Sequence, residues 1–444
     1  MHRLTALTTA VLLLVSAGGI ALAAQTSDPD AAECQTTLPD PDPLPESASA
    51  PTRQPGGLPD PLTAMPLDVK IGQMLMAGVL DTTLGDDERH LIADLHVGNV
   101  ILMGRNIDSP EQVLTLTQNL QALAQTSNGV GLLLATDQEG GLVQRANSYA
   151  GFTLMPDAAT VGLARCPTVL RAYGRMSGEE LAAVGINMAM APVLDVNDNP
   201  TNPVIGALNR SFGTTPDQVE QATLPFIAGL HDAGVMATGK HFPGHGATTE
   251  DSHNALPFVE KSRPALEAVD IAPFRAAVDQ GIDAIMPAHV VYPALDPSGL
   301  PATVSEPIQT GLLRDALGFT GLIITDDMGM KGITQLYPPE ESGVRAVLAG
   351  ADVVLCVRMA SDSSCGPDML EPLRVGLLQA VRDGRLPMTR IDASVRRILA
   401  VKARHQVGPA PDSTLVQIKG ADHLRVVADV LNMVAARQAE AGHP

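Results

Sequence analysis

The sequence predicts a single (β/α)8 barrel of the TIM type, and three observations carry that prediction. Eight short runs rich in Val, Ile, Leu and Met recur between residues 66 and 405, amphipathic segments separate them, and polar residues gather directly behind the runs. Continuous apolar runs alternating with amphipathic helices mark a parallel sheet covered on both faces. Eight such units over roughly 340 residues suit a closed barrel with enlarged loops. A doubly wound open sheet is the rival, but no Gly-rich phosphate loop follows the first run.

The runs are Ile71–Val79, Val97–Met103, Gly131–Thr136, Ile186–Val196, Val235–Thr238, Ala284–Ala288, Leu322–Thr325 and Ala351–Cys356. Helical periodicity lies between them at Pro110–Ala124, Gly174–Val184, Pro216–Ala233, Ala265–Gln280 and Glu340–Leu348. Asp137-Gln138-Glu139 follows the third run, Asp195 closes the fourth, Lys240-His241 follows the fifth, His289 the sixth and Asp326 the seventh. Barrel enzymes place their chemistry at the C-terminal ends of strands, which is where these residues fall. Past about residue 405 the rhythm stops. Pro409-Ala410-Pro411 breaks the chain, and His423–Ala436 reads as one helix within a tail of residues 406–444.

Ahead of the barrel, His2-Arg3, the apolar run Ala10 to Val15 and the small residues Ala21-Leu22-Ala23 read as an export signal over residues 1–24. An uncleaved membrane anchor is the alternative, against which the run is short and broken by Ser16 and Gly18-Gly19. The first cysteine, Cys34, stands too far on for a lipoprotein signal. Residues 25–65 are rich in Pro, Asp, Ser and Thr and read as a disordered tether. Four cysteines in an exported chain allow three pairings. Cys356 with Cys365 and Cys34 with Cys166 are favoured, with free thiols the alternative.

The formal charge of −20 makes nucleic acid and anionic lipid poor partners. Trp is absent and aromatic residues are 2%, which argues against a long polysaccharide groove lined by rings. A small pocket that grips one sugar by hydrogen bonds stays compatible with this composition. No nucleic-acid partner, no stable membrane insertion after signal cleavage and a monomer are expected.

The densest chemistry is Lys240-His241-Phe242-Pro243-Gly244-His245-Gly246 followed by Asp251-Ser252-His253. In an extended loop, residues i and i+2 share a side, so Asp251 can hold the His253 imidazole as a general acid and base. Asp326 offers a carboxylate that can attack an anomeric carbon, and a carboxylate plus a proton donor is the minimum kit for glycoside cleavage. The residues alone leave open that Asp326 and Asp327 are loop carboxylates that bind a cation or cap a helix, and that His253 is a surface histidine. The three histidines argue poorly for a metal: Phe-Pro-Gly between His241 and His245 forbids a helix, and no Glu follows the first His. No cofactor is expected. The Gly140-Gly141 turn lets Asp137 and Arg145 converge as a forked clamp for sugar hydroxyls, with a structural salt bridge the alternative. Arg210, in Asn209-Arg210-Ser211-Phe212-Gly213, is a weaker signal. Gly244 and Gly246 are expected to hinge the loop that carries Asp251 and His253.

Together these segments, with Thr325-Asp326-Asp327-Met328 in the expected order, resemble glycoside hydrolase family 3, in its β-N-acetylglucosaminidase branch. The resemblance runs from Leu67 to Ala403. It implies one (β/α)8 barrel without the second α/β domain of larger members. It also implies Asp326 as nucleophile, His253 as acid/base with Asp251 its dyad partner, and Asp137, Arg145, Arg210, Lys240 and His241 as the grip on a terminal N-acetylglucosamine. His289 is a weaker candidate for the pocket wall. The implied reaction is retaining release of that sugar from peptidoglycan fragments, outside the membrane for an exported chain. A β-glucosidase, a phosphorylase of the same family and a silent sugar-binding wall protein are the rivals. Two departures stand out: Leu142 where Arg is common, and Met328-Gly329 after the paired aspartates.

Overall fold

The structure, a computed structural model, describes Cys34 and residues 61–357, 369–408 and 415–441. The chain divides into a unit of residues 1–35, of which only Cys34 is described, and a unit of residues 36–444 to which all that follows belongs. The signal, nearly all of the tether and Cys365 lie outside the described residues. Cys34, Cys166 and Cys356 are disulfide-bonded.

Each apolar run contributes one strand: β1 Leu75–Gly78, β2 Asn99–Leu102, β3 Leu133–Thr136, β4 Met188–Ala189, β5 Met236–Phe242, β6 Ala284–Pro287, β7 Leu322–Ile323 and β8 Val354–Cys356. Every residue in them is buried, which is why the runs are continuous rather than alternating. All pairings are parallel, in the order β8-β1-β2-β3-β4-β5-β6-β7. The two ends of that order meet. Ile324 bridges Val353 in parallel, the Thr325 N–H donates to the Val353 carbonyl at 3.0 Å, and the Val353 N–H donates to the Ile323 carbonyl at 3.0 Å. The sheet is therefore closed, and the open-sheet rival falls.

Two runs are reassigned in part. Leu67–Gln73 is a helix, α1, so the first half of the first run is helical and only its second half is strand. A side chain on Gly72 would lie 2.2 Å from the His96 carbonyl oxygen, so the helix sits hard against the turn before β2. β5 runs past its expected end through Lys240 and His241. Its register with β6 shifts between Lys240 and Phe242.

The outer helices are α2 Pro110–Asn128, α3 Pro167–Ala183, α4 Pro216–Asp232, α5 Ala272–Asp279, α6 Pro339–Ala349, α7 Leu370–Arg382 and α8 Met388–Arg404. Ser109 and Thr215 cap α2 and α4 by accepting the Gln112 and Gln218 N–H groups, and Pro follows each cap. α3 begins seven residues before the range read from the sequence: Pro167 opens it, and Val169, Leu170 and Tyr173 bury its first turns. α3 and α4 approach closely: a Cβ on Gly229 would lie 2.1 Å from the Arg171 carbonyl oxygen.

The tail is longer and better anchored than its sequence pattern indicates. Its helix, α9, spans Ala421–Ala441 and buries His423, Val426, Val430 and Val434. At the other end, Pro61–Ala64 is a short helix with Leu62 buried, inside the segment read as tether. Among the described residues, no helix is long and apolar enough to cross a membrane.

Candidate active site

The loops behind the strands enclose a cavity of about 420 Å³. Asp137, Arg145, Arg210, Lys240, His241, Asp251, His253 and Asp326 all line it, so the structure brings together eight of the nine expected residues. His289 is the exception: it is fully buried and is not among the residues that line the cavity. Its Nε2–H donates to the Asp327 carbonyl at 3.0 Å and its Nδ1 lies 2.7 Å from the Thr303 hydroxyl oxygen. Burial holds that imidazole below its usual range.

One wall is an ion cluster. Asp137 stands one residue past β3, and a small antiparallel hairpin, Gln138–Gly140 with Val143–Gln144, follows it. Lys240 Nζ lies 2.8 Å from Asp137 Oδ1 and 2.7 Å from Glu139 Oε1. The forked pair is not the expected Asp137–Arg145. Arg145 reaches Asp137 Oδ2 at only 3.4 Å. Arg210 instead forks onto Glu139, Nε to Oε2 at 2.8 Å and Nη2 to Oε1 at 2.8 Å. Burial pushes the Glu139 carboxyl up, but Arg210 and Lys240 outweigh it and bring it down to about 2. Asp137 is likewise pushed up by burial and carried below its usual range by Lys240 and Arg145. These carboxylates stay ionised, with acceptor lone pairs for sugar hydroxyls. Leu142 is 74% exposed at the hairpin turn and is not among the residues that line the cavity.

The floor is set by Asp195, which is fully buried. Its Oδ2 lies 2.7 Å from His241 Nδ1, while Oδ1 accepts the His241 N–H at 3.1 Å and the His245 N–H at 2.7 Å. Burial pushes Asp195 up, but His241 and His245 bring it below its usual range. This carboxylate fixes which side of the His241 ring meets the cavity.

Asp326 lies three residues past β7 and takes the Asp327 N–H on Oδ1 at 2.8 Å. Burial opposes its charge, yet the fields of His289, His241 and His253 hold it below the usual carboxylate range. Asp327 is used differently. Its Oδ1 accepts the N–H groups of Gly329 and Val357 at 3.2 and 3.0 Å, and burial raises it to about 6. Paired aspartates thus divide into an ionised group and a loop brace.

At the mouth, His253 Nδ1 lies 2.7 Å from Asp251 Oδ1, which also accepts the His253 N–H at 2.8 Å. The His253 side chain is 60% exposed. Burial raises Asp251, but the His253 amide and ring bring it below its usual range. The loop is anchored beneath by His245, whose Nε2 meets Ser252 Oγ at 3.0 Å and whose Nδ1 meets Thr248 Oγ1 at 2.9 Å. Burial brings the His245 imidazole down to about 4. Gly244 and Gly246 both stand where no side chain fits. A Cβ on Gly246 would lie 1.7 Å from the Val196 carbonyl oxygen, and one on Gly244, at φ 136°, would lie 2.7 Å from Asp270 Cβ.

Glu139, Asp195 and His245 were not singled out from the sequence as site residues. Each sits inside a noted motif, but only tertiary pairing reveals its part.

The profile of the glycosyl hydrolase family 3 N-terminal domain matches residues 66–401. A beta-hexosaminidase of Alkalilimnicola ehrlichii is 40% identical over 287 residues, 63% of this chain and 79% of that protein. A beta-hexosaminidase of Neisseria meningitidis is 38% identical over 308 residues, 68% and 80% respectively. Among solved structures, a glycoside hydrolase family 3 beta-N-acetylglucosaminidase from Paenibacillus sp. superposes with a TM-score of 0.78 at 42% identity, over 84% of this chain and 69% of that one. A beta-N-acetylhexosaminidase from Beutenbergia cavernae gives 0.70 at 33% identity, over 76% and 99%.

Proposed function

This chain belongs to glycosyl hydrolase family 3, and on that premise we propose that it is an exo-acting, retaining β-N-acetylglucosaminidase. The observation that carries the reading is that a half-buried, ionised Asp326 and an Asp251-held His253 line one cavity with a fixed cluster of hydroxyl-binding charges. The names of the relatives point to the same sugar class.

Asp137, Arg145, Arg210, Lys240 and His241 bind and orient the terminal sugar. Asp326 attacks the anomeric carbon, the glycosidic C–O bond breaks, and the His253 imidazolium gives its proton to the leaving oxygen. Neutral His253 then takes a proton from water, whose oxygen displaces Asp326 from the anomeric carbon. Two inversions give net retention. Asp251 stabilises the imidazolium and fixes its orientation.

The substrate we assign is N-acetylglucosamine at the end of peptidoglycan fragments, acted on outside the membrane by an exported monomer. The test is hydrolysis of 4-nitrophenyl β-N-acetylglucosaminide against the β-glucoside, with and without phosphate. Preference for the N-acetyl substrate, retained configuration and no phosphate dependence support the reading. Preference for the glucoside, or phosphate-dependent release, overturns it.

A further inference from the structure

We propose that the C-terminal helix α9 supports the active site, with His423 and Glu180 as positioning residues for the hairpin that carries Glu139 and Arg145. The family match ends at residue 401, so this helix lies beyond the matched domain. The inference rests on the proposed function only for what the hairpin binds.

Glu180, on α3, is 2% exposed and collects four contacts. Its Oε2 accepts the Thr153 N–H at 2.9 Å. Its Oε1 takes the Thr153 hydroxyl at 2.5 Å, the Lys419 N–H at 2.8 Å and His423 Nδ1 at 2.9 Å. Two of the four come from the tail and two from one residue of the loop behind the hairpin. The other ring nitrogen, His423 Nε2, lies 3.1 Å from Glu179 Oε2. Both ring nitrogens face carboxylates, so the ring is held as a two-donor imidazolium.

From Thr153 the bonds continue into the site. The Thr153 carbonyl accepts from Gln144 Nε2 at 2.7 Å, and Gln144 Oε1 accepts the Met155 N–H at 3.0 Å. The Gly141 N–H donates to the Met155 carbonyl at 3.0 Å. Gln144 pairs with Gln138 across the hairpin and precedes Arg145, while Glu139 follows Gln138. Segment 153–155 is thus the hairpin's brace, and Glu180 holds the brace. Without His423, a buried carboxylate keeps only neutral donors, an arrangement that favours local opening of the segment it holds. A binding hairpin free to shift loses ground-state affinity before it loses chemistry, because Asp326 and His253 stand on other loops.

The test uses the full chain with His423→Ala, His423→Asn and Arg425→Ala. Asn places an amide donor where Nδ1 stands, and Arg425 lies on the same helix but pairs only with exposed Asp422. Amide exchange over residues 137–155 is expected to quicken in His423→Ala by about 2- to 30-fold. KM for the aryl N-acetylglucosaminide is expected to rise over that same range with kcat nearly unchanged. His423→Asn restores most of both, and Arg425→Ala changes neither. Unchanged exchange over 137–155 in folded His423→Ala overturns the proposal, as does a fall in kcat at constant KM. If His423→Ala does not fold, Thr153→Val, which removes only the hydroxyl contact, decides by the same two readouts. A wild-type chain without turnover overturns the functional reading, and the exchange measurement still settles the support.

Discussion

Glu139 and Arg210 meet through two parallel hydrogen bonds of 2.8 Å each, with side chains only 2% and 10% exposed, although 71 residues separate them in sequence. Lys240 closes on the same carboxylate from β5. Two loops, those after β3 and β4, and the end of β5 are thereby locked together at the cavity wall.

Removing that charge leaves Arg210 buried with a neutral partner. Glu139→Gln is expected to cost about 3 kcal/mol of stability, in the range for breaking a buried ion pair, and to raise KM more than it lowers kcat. Urea denaturation monitored by circular dichroism checks the first, and steady-state kinetics the second. A loss below ~1 kcal/mol would show the pair to be replaceable by hydrogen bonds alone.

Asp326 has the opposite balance. It is half-buried, it must stay charged, and its carboxylate accepts one backbone N–H, with no salt bridge among the described residues. Asp326→Ala is expected to lower kcat by at least about 10⁴-fold with only a small fall in melting temperature, since the fields that hold its carboxyl below the usual range favour the charge in the folded chain. A folded Asp326→Ala that keeps its turnover would remove the carboxylate from the chemistry.

His253 is expected to matter in proportion to the leaving group's need for a proton. His253→Ala should lower turnover by about 10²- to 10⁴-fold for a sugar leaving group and far less for 4-nitrophenolate. Asp251→Asn, which keeps the ring but weakens its charge support, should fall between. Equal losses on both leaving groups would remove His253 from the protonation step.

Much of this was legible in the sequence because burial leaves a plain mark on composition. A strand covered on both faces must be continuously apolar, so eight runs announced eight strands, and polar residues at their ends announced the cavity. What escaped depends on partners distant in sequence. Nothing local distinguishes Arg210, forked to Glu139, from Arg145, which lies 3.4 Å from Asp137, although the expected clamp was built on Arg145. His289 follows its strand just as Asp326 does, yet its ring is committed to Thr303 and the Asp327 carbonyl. The first apolar run also misled in part, since an apolar stretch at a strand's entry can be a buried helix turn, as Ile71–Gln73 is.

The C-terminal helix carries a pH dependence of its own. Burial pushes the His423 imidazole down, but hydrogen bonds to Glu179 and Glu180 outweigh this and raise it to about 9, against an ordinary value near 6.5. A raised folded-state value means that the folded chain binds the proton more tightly, so the stabilisation is complete below about pH 6.5 and is lost as pH rises through 9. Glu179 and Glu180 are pushed up by burial but carried below their usual range by His423, so their own contribution fails only in acid and leaves this window clear. The His423 side chain is 7% exposed, so solvent screens the pair little. The upper bound on its contribution is about 3 kcal/mol. Thermal unfolding of the wild type and of His423→Ala at pH 6 and pH 9.5 measures it. The gap in melting temperature should be several degrees at pH 6 and should close at pH 9.5, because only the wild type has a proton there to lose. A gap that holds constant across that range would mean that His423 acts by packing rather than by charge.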